Sequence, residues 1–409
     1  MPGRIVGYQR QTDRAEIPNP GPSERWSGWL RMFLRNVWYV AAQAREIEKD
    51  SFLARVVLDE SIVLWRSRDG QLHAFEDRCP HRLAPLSAGR HFGDWIQCRY
   101  HGLRFGPDGA CLHIPGQSQI PAVAQVRTWP TAECDGLVWV WIGEPELADS
   151  DLVPRLPSAD WATVLGYTHI RADYRLLSDN LLDLSHESYI HEGTIGNEQA
   201  QTIADFPLKV TTEDGHVVRA HREMRSIKPP PFFAYALGGD GPIDRWQTAI
   251  WIAPSLNVTD AGVMPAGRPP SEALHNIIVH LITPESASGS HYFWAACRNY
   301  QRDSAQLDAT IYEALVQTFD EDKEIIEMQQ NEIDRVPDRP VPRFATLLDK
   351  APMTARRMLA SLQKRQEDDG RFVPVPADMG AILRNSRATR FDGNQASASI
   401  RARATPSDT

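Results

Sequence analysis

Residues 79–105 read CPHRLAPLSAGRHFGDWIQCRYHGLRF, and the architecture of the chain turns on four of them. Cys79 and His81 stand two apart, sixteen residues intervene, and Cys98 and His101 follow three apart. Each half pairs one thiolate with one imidazole. Four such ligands can hold tetrahedral zinc, but zinc pairs usually set like ligands together, as C-x₂₋₄-C and H-x₃₋₅-H. The interleaved order suits a [2Fe–2S] cluster with two Cys on one iron and two His on the other, an arrangement that raises the reduction potential. Zinc is the alternative, as is a chance placement of two buried cysteines and two surface histidines.

Outward from this stretch, short β-branched or alternating runs (ARVVL, SIVLWRS, QLHAFE, LVWVWI) are separated by Asp-Gly turns at 69–70, 108–109 and 135–136. They predict an antiparallel all-β module that brings two ligand loops to one tip. A Pro-rich connection, EPELADSDLVPRLPSADW, then leads to strands (DRWQTAIWIA, NIIVHLIT, SHYFWAAC) mixed with helical patterns around 174–191 and 308–334. The fold class is therefore α+β: an N-terminal all-β domain over 31–147 and a mixed antiparallel-sheet-plus-helices domain over 148–372. Residues 1–30 and 373–409 carry no hydrophobic period and are expected to be a flexible arm and an extended or disordered tail. Met32 is a second candidate start.

The chain has 409 residues, a net charge of −9 and 42% hydrophobic residues, so nothing marks it for a polyanion such as nucleic acid. No apolar run approaches the roughly 20 residues needed to span a bilayer, and no signal peptide opens the sequence. Five cysteines, an odd number, suit thiols in a reducing compartment, and a cytoplasmic location is expected.

A second constellation lies in NLLDLSHESYIH, residues 180–191. Asp183 and His186 are helix-face neighbours, whereas His186 and His191 are separated by about 140° on an ideal helix. For both to reach one metal, the helix must end or distort between them. A two-His-one-carboxylate face, which leaves open positions on Fe(II) for O₂, then needs an acid from elsewhere. Ile311, Ala314, Leu315, Thr318, Phe319, Ile325 and Ile326 mark a buried stripe with helical spacing, and Asp322 falls on it. Asp320, Glu321 and Glu324 fall off it and are read as solvated. A buried carboxylate needs a partner, either a metal or an arginine.

The sequences CPHRLAPLSAGR and CRYHGLRF resemble the Rieske motif of aromatic-ring and O-demethylating oxygenases, a motif that Rieske ferredoxins share. The pattern D-x₂-H-x₄-H, followed by FDEDKEIIE at 319–327, resembles their catalytic domain, most closely in the vanillate O-demethylase and dicamba monooxygenase group. The resemblance spans about residues 32–340. It implies a Rieske cluster on Cys79, His81, Cys98 and His101, and mononuclear Fe(II) on His186, His191 and Asp322. Asp183 would carry electrons by hydrogen-bonding His186 to a cluster histidine, His101, of a neighbouring subunit, within a head-to-tail homotrimer, and Asn180 matches a residue near the iron. In the substrate pocket, Asn257 and His280 match an Asn and a His of this group. The group's Trp is not kept, since Glu313 stands nine residues before Asp322 with Tyr312 beside it, so dicamba itself is not the expected substrate.

These implications describe a terminal oxygenase that takes electrons from a separate ferredoxin or flavin reductase and uses O₂ to O- or N-dealkylate, or hydroxylate, a small aromatic or related molecule. No dinucleotide-binding glycine fingerprint appears, so hydride cannot be accepted directly from NAD(P)H. Three alternatives stand beside this reading. A cis-dihydroxylating dioxygenase uses the same metals. A Rieske electron carrier would leave Asp183, His186, His191 and Asp322 unexplained. A structural zinc protein would be colourless.

Overall fold

The computed structural model describes residues 33–157, 160–191, 195–196, 202–337 and 344–374. The expected arm over 1–30, the start at Met32 and the tail beyond Pro374 lie outside the described residues. Statements of number below refer to these residues.

Eleven short strands build the N-terminal part: β1 (Val37–Gln43), β2 (Leu53–Val57), β3 (Glu60–Arg66), β4 (Leu72–Glu76), β5 (Arg90–His91), β6 (Ile96–Gln97), β7 (Arg104–Phe105), β8 (Cys111–His113), β9 (Thr128–Trp129), β10 (Thr131–Cys134) and β11 (Leu137–Ile142). They form three small sheets, ordered β1-β11-β10, β2-β3-β4-β9 and β5-β6-β7-β8. The Asp-Gly signals act as read. Asp135 and Gly136 take φ of 54° and 76° and close the two-residue hairpin between Cys134 and Leu137. The β2–β3 hairpin uses Leu58 and Asp59 at φ 52° and 63°, a conformation such residues rarely hold. Their main-chain N–H groups donate to the carbonyls of Pro284 and Glu285, each at 2.9 Å, so the second part of the chain holds this turn.

Seven antiparallel strands follow: β12 (Ala162–Ile170), β13 (Lys209–Glu213), β14 (Val217–Ile227), β15 (Ile243–Ile252), β16 (Leu256–Pro265), β17 (Leu274–Ser286) and β18 (Gly289–Arg298), in the order β12-β18-β17-β16-β15-β14-β13. Alternation sorts their residues into two cores. Ile277, Val279 and Leu281 pack with Phe293 toward Trp38, Trp139 and Trp141 of the β-module, while Ile282, Tyr292 and Trp294 face the helices. Two glycines let tryptophans lie flat on neighbouring strands. A Cβ at Gly166 would come within 1.9 Å of the Trp294 ring, and one at Gly262 would come equally close to Trp246.

Five α-helices complete the fold: α1 (Tyr174–Leu182), α2 (Glu187–Ile190), α3 (Pro231–Leu237), α4 (Ala305–Arg335) and α5 (Lys350–Asp368). The pattern at 174–191 is not one helix. Asp183, at φ −114° and ψ 82°, ends α1, and a 3₁₀ turn over Leu184–His186 leads into α2. One break thus falls before His186, and a second between the two histidines, where α2 ends at Ile190 and His191 takes φ −111° and ψ 28°. On α4 the buried stripe holds Ile311, Thr318, Phe319, Asp322 and Ile326, as spaced, but Ile325 is 46% exposed and leaves it. Helix α5 was not anticipated, although Ala351, Ala355, Leu359 and Leu362 recur at helical spacing and are all buried.

Candidate metal centres

At the tip of the β-module the two ligand loops are near copies of each other. The Cys79 N–H donates to the Ala84 carbonyl and the Leu83 N–H returns to the Cys79 carbonyl, both at 2.8 Å. Likewise the Cys98 N–H donates to Leu103 at 2.9 Å and the Gly102 N–H to Cys98 at 3.1 Å. The fourth residue after each cysteine is left-handed: Gly102 at φ 75°, where glycine is at ease, and Leu83 at φ 58°, where it is not. Asp77 braces the first loop, accepting from the Ser87 N–H at 2.7 Å and its hydroxyl at 2.6 Å.

These loops carry the thiols inward and the imidazoles outward. Cys79 and Cys98 are each 1% exposed, while the His81 and His101 rings are exposed with centroids 4.6 Å apart. Burial pushes the Cys79 thiol up to about 11, with Cys98 beside it, even though the main-chain N–H groups of His81 and Arg82 favour the thiolate. Two buried sulfurs, one of them faced by main-chain N–H donors, beside two paired imidazoles, form a donor set that fits two irons with Cys₂ and His₂ ligation.

The second centre is assembled from the break after α1 and from α4. His186, His191 and Asp322 offer ligand atoms that lie within 4.8 Å of one another, among the described residues the one such group of three. Asp322 Oδ1 lies 3.3 Å from His186 Nε2 and 3.2 Å from His191 Nε2. The other nitrogen of each ring is committed. His186 Nδ1 donates to the Asp183 main-chain carbonyl at 2.6 Å, and His191 Nδ1 donates to Glu321 Oε2 at 2.7 Å. A carbonyl and a carboxylate only accept, so each Nδ1 carries its proton and each Nε2 faces the centre.

Burial works against the charge of His186, but hydrogen bonding and attraction to Asp322 outweigh it and push the ring up to about 9. His191 is raised by the same balance. Burial would raise the Asp322 carboxyl, yet the two histidines hold it well below the usual carboxylate range. Protons on the histidines thus stand where a cation would be held.

Asn180 donates from Nδ2 to Asp322 Oδ1 at 3.1 Å, so α1 orients the carboxylate that α4 supplies. Asp183 differs from its expected geometry: its link to His186 runs through the main chain, while its carboxylate Oδ1 accepts from the Ser185 N–H at 3.1 Å and hydroxyl at 2.6 Å. Glu321, read as solvated from the stripe, instead supports His191. No periodic signal marks that role, only its place next to Asp322. The stretch 187–190 is locked from below, since buried Glu187 receives Arg245 at 3.0 Å and Gln247 at 2.8 Å.

Asn257 and His280 are cross-strand partners on the helix-facing side of the sheet, 1% and 2% exposed. His280 Nδ1 meets the Tyr292 hydroxyl at 2.7 Å and Nε2 meets Thr259 Oγ1 at 3.0 Å, while burial pushes the ring down to about 3 and keeps it neutral. Phe319, one turn before Asp322, packs on His280 and Tyr292 with ring centroids 5.8 and 5.3 Å away. Glu313 and Tyr312 lie exposed on α4. On the opposite face of the sheet, a cavity of about 270 Å³ between Trp38, Trp139 and Leu281 contains none of the candidate ligands.

A Rieske [2Fe–2S] domain matches residues 37–130, and a vanillate O-demethylase oxygenase C-terminal domain matches residues 170–365. The chain is 37% identical over 319 residues to the toluene-4-sulfonate monooxygenase system iron–sulfur subunit TsaM1 of Comamonas testosteroni, covering 76% of this chain and 92% of that protein. It is 36% identical over 350 residues to a vanillate O-demethylase oxygenase subunit of Pseudomonas sp. strain HR199, covering 82% and 97%. Dicamba monooxygenase bound to 3,6-dichlorosalicylic acid superposes with a TM-score of 0.76 at 32% identity, over 82% of this chain and 99% of that structure.

Proposed function

The chain belongs to the Rieske non-heme iron oxygenases, in the group of the vanillate O-demethylase and dicamba monooxygenase oxygenase components, and from that premise we propose that Cys79, His81, Cys98 and His101 hold its [2Fe–2S] cluster and His186, His191 and Asp322 its mononuclear iron. It is the terminal oxygenase component of a monooxygenase that O- or N-dealkylates, or hydroxylates, a small aromatic or related substrate, with electrons from a separate reductase. The relatives are demethylases and monooxygenases, which sets the cis-dihydroxylating alternative aside.

The observation that carries the site reading is the triad itself, two Nε2 atoms and a carboxylate within 4.8 Å, the two rings each aimed by a hydrogen bond at Nδ1 and the carboxylate held by Asn180 at Oδ1. When bound, the iron supplies O₂ activation and the cluster supplies electrons singly. The chain's own residues orient and enclose. Asn180 fixes the Asp322 carboxylate, Glu321 and the Asp183 carbonyl fix the two imidazole tautomers, and Phe319, Tyr292 and Trp294 wall the helix-facing side of the sheet. Asn257 and His280 sit in that wall and are assigned to substrate binding, so Asn257→Ala and His280→Ala each weaken binding and uncouple O₂ use from product.

Three further parts of the reading extend past the single chain. Asp183 connects the two centres across a subunit boundary, the oligomer is a head-to-tail trimer, and the enzyme works in the cytoplasm. Exposed His81 and His101 support the first two, because a cluster edge left at the surface can meet a second copy. The five free cysteines support the third, and among the described residues no helix is long and apolar enough to cross a membrane. Aldehyde release and O₂ uptake, screened over methoxy-arenes, aryl carboxylates and N-alkyl amides with a surrogate reductase, test the activity. Cis-diol products, or no aldehyde from any member, would refute dealkylation.

A further inference from the structure

The middle of the large sheet is not closed on its helical side. On β16 and β17, Thr259, Ala261, Asn276 and Ile278 are partly exposed, whereas the alternate residues Val258, Asp260, Ile277 and Val279 on the other face are buried. These strands are interior to the sheet, so the pattern describes a hollow over the cross-strand pairs Thr259–Ile278 and Ala261–Asn276. Short neighbours deepen it: Ala249 pairs with Thr259 from β15, and Ala296 with Ile278 from β18.

Two side-chain amides stand on this face on either side of the Ala249–Thr259 pair. Asn257 donates from Nδ2 to Ser178 Oγ at 3.2 Å and to the Ser255 carbonyl at 3.4 Å. Gln247 donates from Nε2 to both carboxylate oxygens of Glu187, each at 2.8 Å. The Ser255 carbonyl and the Glu187 carboxylate can only accept, so both amides have their nitrogen committed and their oxygen turned away. Asn257 Oδ1 and Gln247 Oε1 are then buried acceptors with no hydrogen-bond partner, a state that costs free energy until a donor arrives.

Among the described residues, the other polar groups of this face, Arg222 apart, are engaged. His280 is engaged at both nitrogens by Tyr292 and Thr259. Arg298 spends its donors on Asp308 and on the carbonyls of Tyr300 and Gln301. Arg245 lies on Glu187, and Arg222 faces the charges of Asp183 and Glu187, although its Nε has no hydrogen bond.

We infer that this hollow selects a substrate presenting an N–H or O–H donor to Asn257 Oδ1 over one presenting only acceptor oxygens there, such as a carboxylate, a sulfonate or an ester. Gln247 Oε1 offers a second acceptor to a longer molecule, since Gln247 lies four residues along β15 from the partner of Asn257, about 13 Å at the main chain. The inference rests on the dealkylating reading for its location and adds the chemical class of the substrate.

Three probes that share a ring and a methoxy group separate the possibilities: 4-methoxybenzamide, 4-methoxybenzoate and methyl 4-methoxybenzoate, titrated calorimetrically into the holoenzyme. The amide is expected to bind roughly tenfold tighter than the other two, the worth of one well-made hydrogen bond, and Asn257→Leu should erase that margin. A benzoate that binds as tightly as the amide, or an amide that does not bind, overturns the inference. Should Asn257→Leu fail to fold, the ranking by the unaltered enzyme decides. Formaldehyde release is scored separately: a bound amide that yields none counts against dealkylation and leaves the substrate class standing.

Discussion

Glu321 Oε2 lies 2.7 Å from Nδ1 of His191, on the far side of the ring from Asp322. Neighbouring acids on α4 thus grip one imidazole at both nitrogens, one as a candidate co-ligand and one as the group that sets the tautomer. A carboxylate behind a ligating histidine raises its basicity and fixes its plane, and loss of such a partner typically costs about 10–100-fold in metal affinity. Glu321→Gln should weaken iron binding by about that factor and leave the visible spectrum of the cluster intact. Asp322→Ala should lose the mononuclear iron altogether, whereas Asp320→Ala, on the exposed side of the helix, should change neither centre. Metal analysis of the three purified variants checks the order; full iron in Asp322→Ala would remove that residue from the site.

What could be read in advance divides along physical lines. The candidate ligand set at the β-tip was legible because Cys and His are rare and their spacing is short-range; the twin loops then follow from local hydrogen bonds around Leu83 and Gly102. Asp322 was legible because the 3.6-residue period separates a buried acid from its solvated neighbours. Glu321 was not, since being off the stripe says nothing about a ring reaching over from residue 191. Nor was the break at Asp183, where the side chain caps a new turn through Ser185, an option that Asp offers wherever it occurs. The unfilled oxygens of Asn257 and Gln247 depend on partners 79 and 60 residues away in sequence, which no local pattern encodes.

Protonation should make the metal-free protein sensitive to alkali. His186 is raised from its ordinary value of 6.5 to about 9, so its contribution to stability is complete below 6.5 and is lost as pH rises through about 9. Asp322 is depressed, and its contribution is present above the ordinary carboxylate value of 3.8 and lost as pH falls below it. Chelated protein should therefore melt at lower temperature at pH 9.5 than at pH 6, and His186→Gln should flatten that slope. Metal binding displaces these protons, so iron affinity should rise across the same interval. A melting temperature independent of pH from 6 to 9.5 in the chelated protein would contradict the His186–Asp322 pairing.

At the β-tip, Cys79→Ser or His101→Ala should abolish the red-brown absorption and the EPR signal of the reduced cluster, because each iron loses a ligand that no nearby side chain replaces. Spectra recorded on the purified variants settle this. Full retention of both signals would mean that the four residues hold no such cluster.

Asp183 poses the sharpest choice between a structural and an electronic role. Its Oδ1 caps the turn at Ser185, and its carbonyl holds His186, so either duty could account for its presence. Asparagine keeps both: it is as good a cap as aspartate, and the main-chain carbonyl is unchanged. What Asp183→Asn removes is the negative charge, which in the proposed trimer faces the cluster histidine of the neighbouring subunit. Turnover should therefore fall by about tenfold or more, as for removal of a buried charge-assisted contact, with iron content, cluster spectrum and melting temperature near those of the unaltered protein. Asp183→Ala should lose stability as well, by about 1 kcal/mol for the missing cap. If the asparagine variant turns over normally while the alanine variant does not, Asp183 is a cap, and the electron path runs through some other contact to His186.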